Sequence, residues 1–164
     1  MAQNDIITND MIAEAERIGA PPGCIAWCRA QTDLTIQAMA AHNSEWCIWA
    51  AEAAAGLGDY DDAERFALQS DDPGYIRHWC AKAAAHRGDY EVAERFASQS
   101  DDPGKARRWC AYIAAKLGDD EVAEWFAAQG DDPGLARRWC AESAADRGDY
   151  DAAERFRKKI NGTK

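Results

Sequence analysis

Three stretches of the chain, starting near Tyr75, Lys105 and Leu135, agree with one another except at a few places. Those places are Tyr75/Lys105/Leu135, His78/Arg108/Arg138, Lys82/Tyr112/Glu142 and His86/Lys116/Asp146, spaced by 3, 4 and 4 residues. Such spacing is one face of an α-helix. The first two stretches put Tyr75, His78, Lys82, His86, Lys105, Arg108, Tyr112 and Lys116 on that face: four fixed positive charges, two His, two Tyr and no acid. Arg138 adds a cation in the third. On a chain of net charge −10 this is a local reversal of sign. The chemistry it suggests is recognition of carboxylates on an acidic peptide or protein segment. A variable polar face also arises from plain solvent exposure, so both readings stand.

Residues for covalent, metal or cofactor chemistry are not arranged for it. The three histidines, His42, His78 and His86, have no carboxylate or Cys partner at metal-ligand spacing, and no Ser-His-Asp set or Gly-rich phosphate loop is suggested. The recurring "DDPG" lacks the length and acid count of a calcium loop. Of the six cysteines, Cys80, Cys110 and Cys140 follow Trp every 30 residues, so their spacing comes from a repeat and reads as small buried thiols. Cys24 and Cys28, at i and i+4, have no second ligand pair nearby. The expectation is a non-enzyme without cofactor or metal.

The elements that carry the variable face follow from the period. Gly58, Gly88, Gly118 and Gly148 each precede Asp, and Phe66, Phe96, Phe126 and Phe156 keep the same 30-residue step, as do Trp49, Trp79, Trp109 and Trp139. A constant period of this size marks a solenoid, in which no unit buries its apolar face alone. Within a unit, Asp102 is placed to cap a first helix with Pro103 at its first position, and Gly118 to stop it. Asp119 is placed to cap a shorter second helix, "DEVAEWFAAQ", whose early acids favour the positive end of its dipole. The unit is a helical hairpin.

The stretches "GDYEVAERF" and "GDYDAAERF", with the "DDP" between units, resemble the tetratricopeptide repeat family. The resemblance implies an all-α fold, a right-handed α-α solenoid of helix-turn-helix repeats acting in protein–protein interaction. Four units span 43–159, behind a degenerate helical cap at 1–42 and before a frayed tail at 160–164. In the cap, "NDMIAEAERIG" resembles a second helix, "PPGCIAWCRA" a shortened first helix, and "DLTIQAMAA" another second helix. The family's small positions fall on Ala81, Ala111 and Ala141 in first helices and on Ala63, Ala93, Ala123 and Ala153 in second helices. Its peptide-binding concave groove falls on the variable face, to which the first unit adds Glu45, Ile48, Glu52 and Gly56. The family's carboxylate clamp is not implied, because none of the matching positions is Asn. The unit here is 30 residues where the family has 34, so both helices are about half a turn short and the superhelical pitch need not carry over.

Beside the variable face run Trp49, Trp79, Trp109 and Trp139, which either fill space between units or offer rings to a ligand. Arg77, Arg107 and Arg137 are expected to pair with acids of an adjacent helix. Trp125 stands where three units have Arg65, Arg95 and Arg155, and so is expected on the outside as a second interface. Net charge and a pI near 4.7 oppose direct nucleic-acid binding. The start "MAQNDIITND" lacks signal-peptide features and no apolar run is long enough for a membrane span, which gives a cytoplasmic expectation. Two other functions fit the composition: an acidic nucleic-acid mimic that inhibits a nucleic-acid-binding protein, and a structural homo-oligomer.

Overall fold

A computed structural model describes residues 6–31 and 34–161. Three helices come first, α1 (Asn9–Arg17), α2 (Pro22–Arg29) and α3 (Ile36–His42). Four hairpins follow: α4 (Cys47–Leu57) with α5 (Tyr60–Gln69), α6 (Pro73–Arg87) with α7 (Tyr90–Ser98), α8 (Pro103–Leu117) with α9 (Asp120–Gln129), and α10 (Pro133–Asp146) with α11 (Tyr150–Asn161). The fold is all-α, a solenoid of helical hairpins. Of the tail expected at 160–164, residues 160 and 161 end α11 and 162–164 lie outside the described residues.

Local chemistry draws the hairpin boundaries. The side chains of Asp72, Asp102 and Asp132 accept from the backbone N–H of Tyr75, Lys105 and Leu135 at 3.0, 2.9 and 2.8 Å, with Pro in the first turn. At the other end Gly88 and Gly118 take φ of 81° and 97°, a left-handed conformation that non-glycine residues adopt only with strain. Gly104 has a second constraint: a Cβ there would lie 2.5 Å from Asp131 of the next loop.

Asp119 departs from its expected role. It precedes α9 but makes no side-chain cap; its carboxylate accepts the hydroxyl of Tyr90 from the preceding unit, as Asp89 accepts that of Tyr60. Where the third unit has Asp120 in place of Tyr, the link is not made. Asp149 then caps α11 by accepting from Ala152 N–H at 2.9 Å, and Arg147 bridges Asp120 and Asp149 at 3.1 and 3.3 Å. One changed letter thus replaces a tyrosine–carboxylate link between units with ion pairs from Asp120 to Arg147 and Arg155. The arginine–aspartate pair at the turn is common to both, Arg87 also lying 3.2 Å from Asp89.

The small positions make the close helix contacts. Ala63, Ala93, Ala123 and Ala153 are completely buried, as are Ala81 and Ala111, and Ala141 is nearly so. Phe66, Phe96, Phe126 and Phe156 fill the interior of each hairpin, each burial stabilising by roughly 1.5–3 kcal/mol. Successive first helices α4, α6, α8 and α10 pack on one another, and each second helix packs on the next first helix. Across that joint Arg77, Arg107 and Arg137 hold Glu64, Glu94 and Glu124 in forked pairs, as expected. Second helices lean mainly on first helices, which leaves grooves between them on the outer side.

The N-terminal segment differs from expectation. Glu16 and Arg29 repeat the 13-residue pairing of a second helix with the next first helix. Yet α1, not α2, lies against α4, in the place a preceding first helix would take, while α3 packs on α5. The apolar stripe of α1, with Met11, Ile12 and Ala15 buried, covers α4, and α2 packs against α1.

A candidate partner-binding face

The first helices bring the variable residues onto one surface, flanked by the tryptophans. Each Trp of the row is half-buried. Trp109 and Trp139 meet at 5.2 Å between ring centroids, with Tyr112 edge-on to both at 6.0 and 6.4 Å. Between the rings lie cations. The Lys82 ammonium sits 3.8 Å from the centre of Trp79 and 4.9 Å from that of Trp109, and the Arg108 guanidinium lies 5.5 Å from Trp139. The row therefore fills space between units and also forms part of the face, since a cation on an indole is attracted by its ring electrons.

Not all of the expected charge is free. Lys82 is half-buried beside Glu52; burial lowers its pKa, and the carboxylate opposes that shift. Burial raises Glu52, against the pull of Lys82. Arg108 lies 3.6 Å from Asp131, and its buried Nε has no acceptor, as is also true of the buried Trp79 Nε1. Lys105, Lys116 and Arg138 are exposed and make no ion pair among the described residues. They are the cations the face holds toward solvent.

His78 corrects the sequence expectation most clearly. It is 5% exposed, its ring edge-on to Trp79 at 5.9 Å. Burial, then the Lys105 and Lys82 charges, lowers its pKa. Stacking of α6 on its neighbours sinks this turn into the joint, where Arg108, one unit on, is long enough to reach out. Tyr75 and His86 are exposed, and Tyr112 is half-buried. In the first unit Gly56 meets α1: a Cβ there would lie 3.0 Å from the Glu14 carboxylate, so this end of the face is covered rather than open. Glu45 is exposed, while Ile48 and Glu52 are half-buried.

One cluster has no counterpart in the period. Trp27 stacks on His42 at 4.5 Å and 9°, and Trp46 closes on both at 5.6 and 5.1 Å. Three aromatics outside the repeat gave no periodic signal; only their nearness at the cap joins them. Trp125 is 46% exposed on α9, edge-on to buried Phe126, as its replacement of Arg implied.

The cysteines in the described residues are free and buried, and burial pushes the Cys110 and Cys140 thiols up to about 12. Among the described residues no group of three or more His, Cys, Asp or Glu is placed to hold a metal ion. No helix there is long and apolar enough to cross a membrane.

The family model of the tetratricopeptide repeat matches residues 47–69, 74–99 and 134–157, which are the first, second and fourth hairpins. Comparison with curated proteins and with solved structures returns no match.

Proposed function

The chain is a tetratricopeptide-like helical repeat protein, and we propose that it is a non-catalytic adaptor that binds an acidic or carboxylate-bearing segment across α6, α8 and α10. Repeats of this kind mediate protein–protein interaction. The observation that carries the finer reading is the cation–aromatic band: Lys82 and Arg108 on indole rings, with Lys105, Lys116 and Arg138 exposed around it on an acidic chain. Lys82 and Arg108 shape the surface, and the three exposed cations meet the ligand's carboxylates. Tyr75 and Tyr112 add rings and hydroxyl groups for its backbone. The cytoplasm is the compartment in which six free thiols are kept reduced.

The test uses the changes least able to disturb packing. Lys105→Glu, Lys116→Glu and Arg138→Glu together leave the tryptophan row in place, whereas reversing Lys82 or Arg108 would unseat a stacked side chain. A synthetic Glu- and Asp-bearing peptide, with its Gln and Asn counterpart as control, is titrated against both proteins. The triple variant is expected to weaken binding of the acidic peptide by at least about tenfold with the helical circular dichroism unchanged. Equal binding of both peptides, or an indifferent triple variant, removes the proposal; capture of a nucleic-acid-binding protein by that variant would favour the mimic.

A further inference from the structure

Between α7 and α9 on the outer side lies a mostly apolar groove of about 540 Å³, walled by Tyr90, Glu91, Glu94, Glu121, Val122 and Trp125. One unit further on, the corresponding groove between α9 and α11 shows what such a site takes. There Arg155 reaches Asp120 at 2.9 Å and Lys159 reaches Glu124 at 3.5 Å, so α11 supplies the cations that the acids of α9 face. Thirty residues earlier, the positions of Arg155 and Lys159 hold Trp125 and Gln129. In the α7/α9 groove Glu91 and Glu94 keep the places of Glu121 and Glu124, Tyr90 takes that of Asp120, and the second helix brings no cation. Glu94 is held by Arg107, but Glu91 and Glu121 are exposed and have no hydrogen bond or ion pair among the described residues. An exposed indole takes the place of the guanidinium.

We propose that this groove docks a basic segment of a partner protein, an arginine side chain lying on the Trp125 ring with its guanidinium between Glu91 and Glu121. The incoming cation takes the outer side of the groove, where one unit on α11 itself brings Arg155 and Lys159 to the acids of α9. A planar guanidinium combines stacking on an indole with hydrogen bonds to carboxylates, which an ammonium does less well. Val122 and Tyr90 receive the apolar part of the segment. A second copy of the chain is the less favourable occupant, because two molecules of net charge −10 repel as an acidic groove approaches. The site is separate from the face on the first helices, so the chain presents a basic surface and an acidic aromatic groove to two different ligands.

The probe is the peptide acetyl-Ala-Arg-Leu-Arg-Ala-amide, with citrulline in place of both arginines as its uncharged control. Binding is followed at the Trp125 indole N–H resonance, identified as the one missing from Trp125→Arg, and by calorimetry. The arginine peptide is expected to shift that resonance and to bind more weakly as salt rises, with the citrulline peptide silent. Trp125→Arg, which restores the residue of the other units, and Glu91→Gln with Glu121→Gln should each lower affinity on the order of tenfold while helicity is kept. Should Trp125→Arg fail to fold, the paired Gln variant carries the test alone. Equal affinity for the two peptides, or binding untouched by the paired Gln variant, overturns the proposal. So does a concentration-dependent doubling of mass lost in Trp125→Arg, which would give the groove to a second copy.

Discussion

Replacing Arg107 by Met isolates what the repeated arginines do. The Arg107 Nε donates to both Glu94 oxygens at 3.1 and 3.0 Å, and a terminal N–H of the fork adds a third contact. The two side chains are 21% and 26% exposed. Hydrogen bonds to a charged group are worth roughly 1.5–3 kcal/mol, and water reaching about a quarter of the pair reduces this, so the loss should be about 1–2 kcal/mol. For a chain of this size each kcal/mol moves the melting temperature by roughly 2–4 °C, which gives a fall of about 2–8 °C. Denaturant melts of the parent, Arg107→Met, Glu94→Gln and the double variant form a cycle whose coupling should be about 1 kcal/mol. Hydrogen exchange then locates the loss at α7 and α8, since a solenoid need not melt as one unit. A coupling below about 0.3 kcal/mol would refute the clamp. So would Arg107→Met that keeps its stability but loses ligand binding, because the arginine would then be serving the ligand.

Ala123→Leu should overpack the contact of α9 with α8, where Ala123 is completely buried, and cost about 1–3 kcal/mol in a thermal melt; a neutral result would mean the helices do not approach closely there. Burial lowers the His78 pKa, so the unfolded chain binds its proton first. Stability from this residue is therefore full above about pH 6.5 and falls as pH drops toward the folded value, and His78→Phe should flatten the pH dependence of melting between roughly pH 7 and 5.5. An unchanged slope would put the titration elsewhere.

What the sequence determined by itself is whatever depends on neighbours within a few residues or on the period. The hairpins, the Asp102 cap, the Gly118 stop and the buried alanines were all legible, because capping bonds span three residues and the 30-residue step marks equivalent places. That Arg107 pairs with an acid of an adjacent helix was legible for the same reason, being repeated in three units, while the structure names that acid as Glu94. Tertiary structure decided how far each residue of the variable face emerges. His78 and Arg108 hold equivalent positions, yet one is buried and the other reaches a carboxylate, and Lys82 rests on indoles of two different units. It also decided that α1 rather than α2 covers α4, and that Asp119 answers Tyr90 instead of capping its own helix. These partners lie in different units or different helices, and which of them meet depends on how shortened helices stack, a geometry set by the fit of whole surfaces rather than by any local run of residues.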